Sequence, residues 1–152
     1  MKYALIGCGR ISVNHIAAAQ ANRLDIAAIS DILPGKMDEK REKFHLGGTT
    51  KSYADYKEML AKEQPELGAI CTESGEHAGI AMDCIGAGAN VIIEKPIALS
   101  LADADEIIRR AKEKCVKVCT SHQNRFNKSI RKIREAVEAG RFGKMFYGTA
   151  HI

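Results

Sequence analysis

Short apolar runs alternate with segments of helical spacing from one end of the chain to the other. Tyr3-Ala4-Leu5-Ile6 has strand character and leads into Gly7-Cys8-Gly9-Arg10-Ile11-Ser12, after which a helical pattern begins. A second apolar run, Leu24 to Ser30, ends at Asp31. Pro34 fits the first turn of a helix reaching about His45, Gly47-Gly48 breaks it, and residues 49–52 suit a short strand. Ser52-Tyr53-Ala54-Asp55 has the pattern of a capping box, with Tyr56, Met59 and Leu60 as one stripe behind it and Pro65 as the stop. Leu67 to Thr72 reads as a buried strand. Glu76 to Ala87 reads as a helix with Ile80, Ala81, Cys84 and Ile85 inward and Gly86 and Gly88 at its end. A strand is expected over Asn90 to Glu94, then a second capping box at Ser100-Leu101-Ala102-Asp103. Ala104, Ile107, Ile108 and Ala111 follow it as a core stripe. Val116 to Thr120 reads as another strand, and Lys128 to Ala139 as a helix with Ile130, Ile133 and Val137 inward, closed by Gly140. Residues 144–152 have the alternation of a last strand. Such alternation predicts an α/β fold, a doubly wound parallel sheet with helices on both faces.

At 152 residues the chain is one domain by length, and 45% hydrophobic with 28% charged residues is a globular balance. No run of apolar residues is long enough to span a membrane. Met1-Lys2-Tyr3 enters the first strand directly, which leaves no room for a signal peptide and points to the cytoplasm. The five cysteines are an odd number without a CxxC pair, as expected of reduced thiols. Cys115 and Cys119, in a CxxxC on a predicted strand, read as buried thiols rather than metal ligands. Net charge is +4, with Arg125, Lys128, Arg131, Lys132, Arg134, Arg141 and Lys144 clustered late. No aromatic platform accompanies them, so a solvated helix face is expected and nucleic acid is not a partner.

The chemistry gathers just past the strands, where ligands of open α/β sheets bind. Gly7 permits a tight turn, Gly9 lets the backbone approach a pyrophosphate, and the helix after them offers free N–H groups to that anion. Ser12 stands at the third glycine position and is small enough for close helix–strand packing. Asp31, about 20 residues past the turn, suits the ribose hydroxyls of a dinucleotide. The other post-strand residues are Thr72 to His77, Glu94-Lys95-Pro96 and His122 to Arg125. A lysine at position 95 can stabilise a developing alkoxide or exchange a proton with a hydroxyl during hydride transfer. A surface lysine paired with Glu94 is the plain alternative. His77, in a first helical turn, suits either a ligand contact or a surface position. His122, Gln123 and Arg125 suit an amide, a phosphate or a structural role.

Taken together, Gly7-Cys8-Gly9, Thr72-Glu73-Ser74-Gly75-Glu76-His77, Glu94-Lys95-Pro96-Ile97-Ala98-Leu99-Ser100 and Gln123-Asn124-Arg125-Phe126 resemble the Gfo/Idh/MocA oxidoreductases. The Glu-Lys-Pro triplet before a capped helix is the most specific mark. The resemblance runs along the whole chain and implies a Rossmann domain over residues 1–152 that binds NAD. It implies Lys95 as the catalytic lysine, with Gly7, Gly9, Arg10, Ile11, Ser12, Asp31, Thr72, Glu73, Ser74, His77, Glu94, Pro96, Gln123 and Arg125 around the cofactor. The family's usual Thr-Pro-Asn reads Thr72-Glu73-Ser74 here, which puts side-chain contacts at that loop in doubt. The resemblance further implies that residues 144–152 begin a substrate domain that lies beyond the chain. A homo-oligomer formed through that segment is expected. The details resemble most the branch that oxidises UDP-linked N-acetylamino sugar acids at the 3-hydroxyl. A stand-alone NAD(H) sensor and a methyltransferase-like fold binding S-adenosylmethionine are the rival expectations, and Glu94-Lys95-Pro96 speaks against the second.

Overall fold

The computed structural model of the chain describes residues 1–149. Six strands form one sheet: β1 (Lys2–Ile6), β2 (Asp25–Ser30), β3 (Lys51–Tyr53), β4 (Leu67–Ile70), β5 (Asn90–Ile93) and β6 (Val118–Thr120). Their order is β3-β2-β1-β4-β5-β6, and every pairing is parallel. The chain winds outward from β1 to β3, crosses back, and winds outward the other way from β4. A crevice therefore opens between the carboxyl ends of β1 and β4, where the winding reverses.

Helices α1 (Ser12–Ala21), α2 (Pro34–Lys43), α3 (Tyr56–Glu63), α4 (His77–Gly86) and α5 (Leu101–Glu113) connect the strands. Residue alternation along β1 divides the core between the two faces of the sheet. Tyr3 and Leu5 join Ile16, Ala19 and Met37 of α1 and α2. Ala4 and Ile6 join Met59, Leu60, Ile80, Ala81, Ile85 and Ile107 of α3, α4 and α5. Both faces are covered, so the expected doubly wound sheet is present. Truncating a side chain such as Leu5, which is fully buried, to Ala costs about 2–5 kcal/mol in cores of this kind.

Local chemistry sets the boundaries. Ser100 caps α5, accepting from the Asp103 N–H at 3.0 Å, as the box pattern predicts. The cap of α3 is Asp55 instead of Ser52: its carboxylate accepts the Lys57 N–H at 2.8 Å, and Ser52 lies inside β3. Strand β6 starts at Val118 because Val116 is still occupied in closing α5, donating to the Ala111 carbonyl at 3.0 Å, with Cys115 at φ 55°. That loop and the edge position of β6 leave Cys115 and Cys119 exposed, a correction to the expectation of buried thiols. Ile108 also departs from its stripe. It is exposed, while Ile107 and Ala111 are buried.

Met1–Ser121 forms one unit and a second begins at His122. The second holds a 3-10 turn, Gln123–Phe126, and helix α6 (Lys128–Glu138), with Gly140 in the left-handed region past its end. Ile130, Ile133 and Val137 share one face of α6 as their spacing predicts, yet all three are exposed. Among the described residues, their own unit supplies no sheet to cover them. Residues 144–149 form no strand, and the remainder of the predicted last strand, 150–152, lies outside the described residues. Met145, Phe146 and Tyr147 of that segment are exposed. Among the described residues no helix is long and apolar enough to cross a membrane.

Candidate functional site: a dinucleotide cleft

The crevice at the carboxyl ends of β1, β2 and β4 is a cleft of about 620 Å³, within the usual range for ligand pockets. Gly7, Gly9, Asp31, Thr72 and Glu73 line it, as the sequence led one to expect. The turn is built to bring two backbones together. Gly7 has φ +90°, and a Cβ there would meet the Cys71 carbonyl carbon at 2.7 Å and the Thr72 nitrogen at 2.8 Å. Its N–H donates to the Ser30 carbonyl at 2.8 Å, which ties the turn to β2. Gly9 is different: a Cβ there would meet nothing within 4 Å, so the space beside it is open to a ligand.

Asp31 is oriented by the backbone. One carboxylate oxygen accepts the Cys8 N–H and the other the Leu33 N–H, both at 2.8 Å. Each oxygen keeps a further lone pair for a ribose hydroxyl. Burial, and next the charge of Asp31, push the Cys8 thiol up to about 12, so it sits in the turn as a neutral side chain. Thr72 supplies a buried hydroxyl oxygen with no hydrogen-bond partner among the described residues. An orphaned polar atom in a cleft wall, an open Gly9 and an oriented carboxylate fit a nicotinamide dinucleotide.

Ser12 and Ile11 support the turn from behind instead of lining the cleft. The Ser12 hydroxyl donates to the Gly9 carbonyl at 2.6 Å, and Ile11 packs on the α1–α2 core cluster. Arg10 is exposed and Ser74 half-buried, and neither lines the cleft. His77 is no surface residue. It is buried, with Nδ1 2.7 Å from the Pro96 carbonyl oxygen and Nε2 3.1 Å from that of Thr72. Helix α4 begins at His77 and carries its ring beneath both loops.

Lys95 and Pro96 are exposed just past β5, joined by a cis peptide bond. The plain alternative for Lys95, an ion pair with Glu94, is overturned. Glu94 is buried and accepts from His15 Nε2 at 2.8 Å. Among the described residues Lys95 forms no ion pair with a carboxylate. Gln123 and Arg125 lie on the 3-10 turn of the second unit, both exposed.

Ile32, Leu33, Lys36, Tyr56 and Glu76 also line the cleft, and of these Ile32 and Leu33 were unremarked in the sequence. Ile32 and Leu33 are exposed apolar residues directly after Asp31, and that placement was itself a readable signal. His15 was missed because its partner is 79 residues away.

Residues 1–122 match the model of the oxidoreductase family with an NAD-binding Rossmann fold, and the chain belongs to this Gfo/Idh/MocA family. That membership sets aside the methyltransferase alternative. The chain is 33% identical over 147 residues to a myo-inositol 2-dehydrogenase of Thermotoga maritima, covering 95% of this chain and 42% of the relative. It is 30% identical to a D-apiose dehydrogenase of Paraburkholderia graminis, covering 97% of this chain and 39% of that protein. A crystal structure of the WlbA dehydrogenase from Bordetella pertussis, in complex with NADH and UDP-GlcNAcA, superposes with a TM-score of 0.84 at 30% identity. That match covers 94% of this chain and 43% of the other. The chain thus spans about two-fifths of the length of these relatives.

Proposed function

We propose that this chain is the cofactor half of a dehydrogenase that moves a hydride between a hydroxyl-bearing carbon of a sugar or sugar nucleotide and nicotinamide C4. Lys95 carries this assignment. It is exposed, without a carboxylate partner among the described residues, and sits two strands across the sheet from the glycine turn. When bound, the nicotinamide supplies the hydride acceptor or donor. The protein's own residues bind and orient. Gly9 and the first turn of α1, which holds no acidic residue, receive the diphosphate. Asp31 accepts from the adenosine ribose, and the Thr72 hydroxyl finds a partner in the cleft. Lys95 places positive charge beside the reacting hydroxyl and exchanges its proton. The wall that holds the sugar is assigned to a part of the whole protein outside these residues.

For the substrate, a UDP-linked N-acetylamino sugar acid and an inositol are the first pair to compare, since relatives of both kinds match at similar identity. In the whole protein, Lys95→Ala is expected to lower kcat by about 10²–10⁴-fold, the usual share of a positioned acid or base, while the Kd for NAD barely moves. Steady-state rates over a panel of sugars and UDP-sugars, paired with calorimetric titration, test this. An unchanged kcat refutes the assignment of Lys95.

A further inference from the structure

Lys95 carries its charge on a long, flexible four-carbon stem, so the placement of that charge depends on how firmly its backbone is held. The two residues flanking it are each held by a histidine, half-buried His15 and buried His77, and the histidines come from opposite faces of the sheet. On one side, Glu94 ends β5 with its carboxylate turned inward. His15 Nε2–H, one turn into α1, donates to Glu94 Oε1 at 2.8 Å. A carboxylate only accepts, so the ring proton sits on Nε2. Both side chains are nearly buried, at 11% and 9% exposure. Burial alone would push the Glu94 carboxyl up. The bonds from His15 and the Ser121 hydroxyl, with the Lys95 N–H, outweigh it and keep the carboxyl below its ordinary range. On the other side, His77 of α4 lies under Pro96. Both of its contacts, to the Pro96 and Thr72 carbonyls, are with atoms that only accept. A neutral ring carries a single N–H, so one of these carbonyls receives it and the ring wedges between the Thr72 and Pro96 loops.

We propose that His15 and His77 are positioning residues that brace Lys95 from the two faces of the sheet without touching the dinucleotide themselves. The α1 helix that receives the diphosphate is thereby bonded, through His15 and Glu94, to the loop bearing the lysine. The proposal rests on the cofactor assignment above, and the two fail in different experiments.

The test uses the 152-residue chain with its lysines labelled at 13Cε and the Lys95 signal assigned through Lys95→Arg. ADP-ribose carries the adenosine and diphosphate without the nicotinamide, so its affinity reports the turn and Asp31 alone. In the unsubstituted chain, NADH shifts the Lys95 signal and ADP-ribose does not. In His15→Ala and in His77→Ala, the NADH-induced shift falls by more than half. Affinity for ADP-ribose stays within about twofold, because neither histidine lines the cleft. His15→Gln and His77→Gln keep an N–H donor in reach of Glu94 and of the carbonyls and restore the shift. If an alanine variant does not fold, its glutamine counterpart and the other histidine's pair carry the comparison. Alanine variants that leave the Lys95 shift intact overturn the brace. So does an unsubstituted chain that binds ADP-ribose and NADH with no shift at Lys95. Failure to bind ADP-ribose at all overturns the cofactor assignment and the brace with it.

Discussion

Gly7 and Gly9 are two residues apart, and the structure separates their duties sharply enough to predict opposite outcomes. In Gly7→Ala the new methyl lies 2.7 Å from the Cys71 carbonyl carbon and 2.8 Å from the Cys71 oxygen and the Thr72 nitrogen. Ordinary contact begins near 3.4 Å, and all three neighbours are backbone, so relief requires the turn to part from the end of β4. The same spot is bolted by Cys71 N–H to the Ile6 carbonyl at 2.7 Å. Holding alanine in the left-handed region costs about 1–2 kcal/mol, and overpacking adds about 1–3 kcal/mol. A loss of about 2–5 kcal/mol is a large part of a domain's stability and lowers Tm by about 10 °C. Gly9→Val meets no protein atom and needs no left-handed backbone, so its Tm stays near that of the unsubstituted chain. Its methyls fill the space beside the turn instead, and the affinity for NADH falls by about 100-fold or more, about 2.7 kcal/mol. Thermal unfolding followed by circular dichroism, and calorimetric titration with NADH, read the two quantities separately. A Gly7→Ala chain that melts with the unsubstituted one refutes the close approach of the turn to β4. A Gly9→Val chain with unchanged NADH affinity shows that the turn is not where the diphosphate sits.

Asp31, Glu73 and Glu76 line the cleft against one cation, Lys36, so a 2′-phosphate is disfavoured and NADH binds more tightly than NADPH by calorimetry. Asp31→Ala narrows that gap mainly by weakening NADH; equal affinities in the unsubstituted chain refute the role of Asp31. The 152-residue polypeptide alone binds NADH yet turns over no sugar or UDP-sugar, because Lys95 without a substrate wall lacks the positioning on which such reactions depend. Robust turnover in a coupled absorbance assay would show that the chemistry lies elsewhere. Glu63 is buried, and hydrogen bonds from Tyr53 and then Lys51 hold its carboxyl at about 2. Its folded pKa lies below its unfolded value, so its contribution is complete above about pH 4.5 and is lost as pH falls toward 2. Urea midpoints measured down that window drop less steeply in Glu63→Gln, and identical slopes refute the assignment.

Periodicity carried much of the fold because each inner helix buries a single stripe against one sheet. Ile80, Ala81, Cys84 and Ile85 were legible for that reason. The same spacing in Ile130, Ile133 and Val137 says that they share a face and is silent about whether anything lies over it. Asp31 was readable because an acidic residue ending an apolar run has one place to go in a βαβ unit. Lys95 was readable as a post-strand residue, but its neighbour misled: adjacency suggests a Glu94–Lys95 pair, whereas alternation at the end of β5 turns Glu94 inward to His15. His77 illustrates the same limit. A histidine at a helix start looks exposed until the loop 19 residues later folds over it. Contacts that join separate loops leave no local trace, and both bracing histidines are of that kind.

The position of β1 has a consequence for synthesis. β1 precedes its two partners in the chain yet lies in the middle of the sheet, between β2 and β4. Pairing with β2 completes only one of its edges. The other edge, with the carbonyls and amides of Tyr3 to Ile6, waits for Leu67–Ile70 to leave the ribosome. At about 5–20 residues per second, the intervening stretch of roughly 40 residues takes several seconds to make. During that interval the nascent chain presents an apolar strand edge able to pair with any other extended segment. Slow translation between Ser30 and Ile70 therefore lengthens the period of greatest risk of aggregation, and a chaperone that engages the first 70 residues shields the future centre of the molecule.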